Sequence, residues 1–212
     1  LSQLTTKFEE NLLDATNAWS KLVTDESELA GLPDSALALA AQTARQRDHQ
    51  EGWLLTLEFP SYLPVITYAD NRELRREVYQ AFSTRASDQG PHAGEWDNSE
   101  VMEQILALRH EQAQLLGFTN YAERSLARKM ARNTEEVMQF LVDLAERSRP
   151  QAQRELNELK AFAKEQHGMQ DLEAWDIGYY AEKLRQDRYD FSQEILKPYF
   201  PETRVIPGMF AV

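Results

Sequence analysis

Trp53-Leu54-Leu55-Thr56-Leu57-Glu58-Phe59 is the stretch on which the fold class turns. Trp53, Leu55, Leu57 and Phe59 alternate with Leu54, Thr56 and Glu58. That is a period of two, the mark of a strand, and Pro60 closes it because proline has no N–H to give a ladder. A strand carries backbone donors and acceptors that need a partner. The nearest candidate is Trp19-Ser20-Lys21-Leu22-Val23-Thr24. Elsewhere the apolar rhythm is helical. The expected fold is mainly α: a multi-helix lobe with a small two- or three-stranded β element near residues 19–24 and 53–59.

Toward the N-terminus, Thr6 with Glu9 reads as a capping box, followed by a stripe of Phe8, Leu12, Ala15 and Trp19. Asp25 with Glu28 opens a short turn that Gly31 and Pro33 stop. Residues 34–49 then read as a helix on Leu37, Ala41, Ala44 and Asp48. Toward the C-terminus, helix resumes at residue 61. Asp70 with Glu73 caps a helix bearing Leu74, Val78, Phe82 and Arg85. Residues 87–98 are dense in breakers and form the longest loop, a candidate internal break. Asp97 with Glu100, Asn120 with Glu123 and Asn133 with Glu136 mark further helix starts. Gly117 before Phe118 reads as a Schellman stop. Helical patterning continues over residues 150–167 and from Trp175 to Arg188, and Lys197-Pro198-Tyr199-Phe200-Pro201 is a rigid connector. No fixed-period repeat is present, so a helical-repeat scaffold is not expected.

The 212 residues carry a formal charge of -12, which repels phosphate backbones and anionic lipid and so argues against nucleic-acid and membrane partners. The absence of cysteine removes disulfides, thiolate-bound zinc and thiol nucleophiles, and fits a reducing, cytoplasmic setting. No apolar run approaches the ~18 residues of a spanning helix, and no signal-peptide pattern opens the chain. Leu1 in place of an initiator, and an apolar end at Met209-Phe210-Ala211-Val212, suggest a piece of a longer polypeptide.

His110-Glu111-Gln112-Ala113-Gln114 comes within one residue of H-E-x-x-H. In that motif two histidines on one helix face chelate zinc and the Glu activates water. Gln114, a poor zinc ligand, stands where the second imidazole would be, and Glu135 and Glu136 lie at a plausible distance for a third ligand, though a site with one His would be weak. The favoured reading puts His110 and Glu111 on the solvated side of a helix that bears Ile105 and Leu108. His49 and His167 fall in last turns of helices, where a partly positive ring complements the dipole, and His92 lies in the long loop. Glu9-Glu10 and Glu135-Glu136 fall in first turns, where the dipole accounts for them. No G-x-S-x-G, P-loop or G-x-G-x-x-G occurs. Late in the chain Trp175, Tyr179, Tyr180, Tyr189, Phe191, Tyr199 and Phe200 cluster, read first as core and second as a peptide-binding surface.

Three ordered stretches carry a resemblance: Leu115-Leu-Gly-Phe-Thr-Asn-Tyr-Ala122 running on to Met130, Trp175-Asp-Ile-Gly-Tyr-Tyr180, and Leu196-Lys-Pro-Tyr-Phe-Pro201. Glu28-Leu-Ala-Gly-Leu-Pro33, Pro60-Ser-Tyr-Leu-Pro64 and Ser83-Thr-Arg-Ala-Ser-Asp88 support it. Together they resemble the thimet-oligopeptidase-like zinc metallopeptidases over essentially the whole chain. The resemblance implies a larger, two-lobed helical enzyme with a channel that admits short peptides. It also implies a zinc site made of an H-E-x-x-H helix and a later Glu, C-terminal to the Y-F-P stretch. These 212 residues end before that region, so catalytic, cofactor-binding and metal positions carried over to this chain number none. The expected role is a non-catalytic part that supplies lobe and channel-wall structure, with apolar surface left for the missing catalytic region and a tendency to self-associate. The other reading is a self-contained acidic helical binding module whose late aromatics engage a partner.

Overall fold

The computed structural model describes residues 1–210, the side chain of Gln193 aside; Ala211 and Val212 of the apolar end lie outside the described residues. Among the described residues the elements run α1 (Ser2–Ala18), β1 (Ser20–Val23), a short 3-10 helix (Glu26–Leu29), α2 (Asp34–Gln46) and β2 (Trp53–Thr56). There follow α3 (Phe59–Tyr68), α4 (Arg72–Ser83), α5 (Ser99–Leu115), α6 (Tyr121–Leu126), α7 (Thr134–His167) and α8 (Ala174–Tyr189). A 3-10 helix (Gln193–Tyr199) and α9 (Glu202–Phe210) complete the series. The fold is mainly α with a two-stranded antiparallel sheet of β1 and β2.

Both strands are shorter than their pattern. β2 ends at Thr56, and Pro60 sits in the first turn of α3 instead of closing a strand. Proline is tolerated there because first-turn N–H groups have no intrahelical acceptor. Leu54, Leu55 and Thr56 are all buried, so the alternation does not mark one wet face. Gly52, at φ +96, lets the chain enter β2: a Cβ there would stand 2.6 Å from the Val23 carbonyl oxygen.

The chain groups into two compact units. One comprises Leu1–Ser20, Thr56–Glu58 and Gln80–Glu158; the other comprises Lys21–Leu55, Phe59–Tyr79 and the described residues from Leu159 onward. Residues 87–98 lie wholly inside the first.

In the first unit α1 packs along α5. Ala15, Trp19, Leu57, Val101, Ile105 and Ala113 are buried there. Asn98, 2% exposed, donates from Nδ2 to the Phe8 carbonyl and accepts from Asn11 Nδ2, which fixes the start of α5. The Thr6–Glu9 pattern is not a cap. α1 already begins at Ser2 with Leu1 as its N-cap residue, and both Thr6 and Glu9 are exposed inside the helix. The caps at Asn120 and Asn133 form as expected. Each accepts from a backbone N–H three residues on, Glu123 at 2.9 Å and Glu136 at 2.8 Å. At Gly117 (φ +78) the Phe118 N–H reaches the Ala113 carbonyl, the expected Schellman stop.

In the second unit α3 packs against α2 and α8. The approach of α3 to α8 is close at Gly178, where a Cβ would lie 3.4 Å from Ile66 Cγ2. α2 ends at Gln46, so His49 is past the helix instead of in its last turn. The His49 and Asp48 N–H groups close a Schellman turn onto Ala44 and Arg45, with Asp48 in the left-handed position. His167 does end α7, its ring between those of Phe162 and Tyr180.

Candidate functional site

α4 begins at Arg72 because the Asn71 side chain accepts from the Leu74 N–H. The sequence pattern put Asp70 in that role. Asp70 is instead free to face α8, and it accepts a 2.7 Å hydrogen bond from the Tyr179 hydroxyl and an ion pair from Lys183 at 3.3 Å. Burial pushes the Asp70 carboxyl up, but the Tyr179 hydrogen bond and the Lys183 charge outweigh it and hold the carboxyl below its ordinary value. Burial, followed by the bond to Asp70, pushes the Tyr179 hydroxyl well up.

One helical turn further, the buried stripe of α4 carries an arginine. Arg75 lies on the same face as Val78 and Phe82, and only 1% of it is exposed. Its Nη2 donates to Asp176 Oδ1 at 2.8 Å, its Nη1 to the Ala69 carbonyl at 2.7 Å, and its Nε to the Trp175 carbonyl at 3.3 Å. The guanidinium carbon lies 4.0 Å from the centroid of the Tyr179 ring. Arg72 approaches Asp176 from the other side, Nη2 to Oδ2 at 2.7 Å and Nε to both oxygens at 3.1 Å. The Glu173 N–H adds a bond to Oδ2 at 3.0 Å. Asp176 has no exposed surface. Burial pushes its carboxyl up, but the hydrogen bonds from Arg72 and Arg75 prevail and hold it below the ordinary aspartate value.

The tandem tyrosines of the Trp175-Asp-Ile-Gly-Tyr-Tyr180 stretch divide between two surroundings. Tyr179 belongs to the charged cluster, whereas Tyr180 packs with Leu159 and Ala163 of α7, with Phe162 and Leu184 at the edge. Burial raises the Tyr180 hydroxyl.

The centre of this network, Asp176 and Arg75, is buried, while Asp70 at its edge is exposed. Both Asp176 oxygens already accept from two or more donors, and Arg75 spends its donors on one carboxylate and three carbonyls counting Asp70. These bonds tie α4 and the Asp70 turn before it to α8. Sequence patterning picked out Trp175, Tyr179 and Tyr180 as core aromatics and missed Arg72, Arg75, Lys183, the pairing of Asp176 and the role of Asp70. The available signal was Arg75 itself, a cation at i, i+3 and i+7 with Val78 and Phe82.

The near-motif lies elsewhere. His110 and Glu111 are exposed on α5, away from buried Ile105 and Ala113, and Gln114 Nε2 donates to the Thr119 carbonyl at 2.8 Å. Glu135 and Glu136 are exposed in the first turn of α7. His92 pairs with Glu95 at 3.0 Å in its loop. Among the described residues no three His, Asp or Glu side chains come together as a metal-binding group. The late aromatics split: Tyr179 and Tyr180 are core, whereas Tyr189, Tyr199 and Phe200 are 70%, 73% and 66% exposed.

Residues 65–212 match the sequence profile of Peptidase family M3. The chain is 60% identical over all 212 residues to oligopeptidase A of Salmonella typhimurium (strain LT2), covering 31% of that protein. It is 55% identical over 210 residues to oligopeptidase A of Haemophilus influenzae, covering 31% of it. It is 31% identical over 208 residues to dipeptidyl carboxypeptidase of Escherichia coli (strain K12), covering 98% of this chain and 30% of the relative. The chain thus spans less than a third of the length of these curated relatives. By its profile match over most of its residues, the chain belongs to Peptidase family M3.

Proposed function

We propose that these residues are the non-catalytic part of a cytoplasmic oligopeptidase that hydrolyses short peptides, and that they supply frame and channel wall. The observation that carries the reading is the 60% identity to oligopeptidase A along the whole chain, combined with coverage of only 31% of it. The family resemblance makes the whole protein a two-lobed zinc enzyme. The described residues do not fit zinc. The second ligand position one turn past His110 is an amide already bonded to a backbone carbonyl, and no third donor joins it. The metal ligands and the groups that act on the scissile bond therefore belong to the rest of the polypeptide. What this chain contributes is rigidity: the charged cluster joins α4 to α8 through the fully buried Asp176.

The test compares the 212-residue chain with the full-length gene product on a quenched fluorescent peptide, with zinc measured in both. The full-length protein is expected to hydrolyse the peptide and to lose that activity to a chelator. The chain alone is expected to retain no stoichiometric zinc and to cleave nothing. Hydrolysis by the chain that persists after removal of co-purifying protease would overturn the reading.

A further inference from the structure

We propose that the first half of α7 is an intramolecular interface, enclosed on several sides by a folded body of the same polypeptide that lies outside these 212 residues. The inference rests on the reading above, that the chain is part of a longer peptidase.

Seven of the nine residues from Val137 to Ala145 are apolar. In an ordinary surface helix such residues keep to one stripe, and a helix that is apolar all round is a buried helix. Here the helix is bare. Met138 is 59% exposed, Phe140 65%, Leu141 50%, Val142 43% and Leu144 53%. Successive residues step about 100° around the axis, so these side chains point in several directions rather than along one line. The two polar residues of the stretch, Gln139 and Asp143, are one turn apart and bond to each other at 2.8 Å. They form a single narrow polar line, and the rest of the circumference is apolar. Beside it, Val137 and Met138 with Ala122 and Leu126 line an open groove of about 240 Å³ between α6 and α7.

The breadth of this surface selects the occupant. A bound peptide or a single helix covers one stripe, and a two-fold copy of the chain covers one self-complementary patch. Covering several sides requires a larger body, and relatives of which this chain spans 31% have the length to supply one. The Gln139–Asp143 line marks the strip that stays in water, and the groove receives an apolar side chain from the covering body.

The chain has no cysteine, so single thiols report the surface directly. Leu141→Cys, Leu144→Cys and, on the polar line, Gln139→Cys are placed in the 212-residue chain and in the full-length protein freed of other cysteines. Each is then timed with a maleimide. In the full-length protein the thiols at 141 and 144 are expected to label more slowly than in the chain, on the order of tenfold, while position 139 labels alike in both. Equal labelling at 141 and 144 in both proteins overturns the proposal. So does slowing in the full-length protein that fades on dilution, which assigns the face to a second copy. Slowing of the full-length protein only when peptide is added also overturns it, because the face then lines the channel. A coding sequence that stops at Val212 removes the underlying reading, and it is read from the gene before any labelling.

Discussion

The charged cluster around Asp176 and the apolar stretch around Leu141 handle the same difficulty in opposite ways. Each is a group that water would treat differently from the protein interior. Asp176 is fully buried, and every acceptor site it offers is filled from within its own unit by Arg72, Arg75 and the Glu173 N–H. Leu141 is half exposed and has neighbours as apolar as itself on nearly every side. A buried charge cannot wait for a partner supplied later, since leaving it unpaired costs several kcal/mol. An apolar face can wait, because water only fails to reward it. The contrast separates what this chain must complete by itself from what it can leave to the rest of a longer protein.

The largest effect is expected at the charged cluster. Asp176→Ala leaves Arg75 buried without its anion, and urea denaturation of the chain should show a loss of about 3–5 kcal/mol. The acid limb should change as well. Asp176 and Asp70 have folded-state values below their unfolded ones, so their stabilisation is complete above the unfolded aspartate value of about 3.9 and is lost as pH falls below it through the folded values. Asp176→Asn should therefore flatten the fall in stability below about pH 4. An unchanged acid limb in that variant would show that the cluster contributes nothing through its charge.

Gly31→Ala should come next. Gly31 has φ +88, and a Cβ there would lie 2.3 Å from the Tyr68 carbonyl oxygen and 2.9 Å from the Asp70 carboxyl. Strain of this kind costs about 1–3 kcal/mol. Because it pushes on Asp70, the loss should shrink in an Asp70→Ala background, measured as a double-mutant cycle. The smallest effect belongs to α7. Leu141→Gln in the 212-residue chain should change stability by about 0.5 kcal/mol or less. A loss of several kcal/mol would mean that the chain already buries this face, and the contrast between the two regions would collapse.

What could be read from sequence was local. Asn120, Asn133 and Gly117 announce helix ends because a cap involves residues three to five apart, and all three do what the pattern says. β2 was legible because its pattern breaks a helical background, although it stops at Thr56, and β1 followed as the nearest partner such a strand needs. The Thr6–Glu9 pattern misled because the same residue types serve equally well on an exposed helix surface, and Leu4 carries the buried stripe back beyond them. The charged cluster was out of reach for another reason. Arg75 and Asp176 are 101 residues apart, as Tyr179 and Asp70 are 109 apart, and no local pattern records that they meet. Asp70 next to Asn71 before a helix looks like a cap whichever of the two does the capping. The apolar run of residues 137–145 is visible in the sequence, but it reads there as a buried helix, and only the structure shows it bare.

The tandem tyrosines also restrict how α8 can move. Tyr179 and Tyr180 are adjacent, so their side chains leave the helix about 100° apart. One hydroxyl is tied to Asp70, while the other ring is wedged among Leu159, Ala163 and the His167 ring. Rolling the helix by a single residue step would carry a phenol hydroxyl into hydrocarbon and take the Tyr179 hydroxyl away from Asp70. The rotational phase of α8 is thereby locked. It can tilt or swing as a rod, and any motion of this part of the protein has to transport it with the same side facing inward.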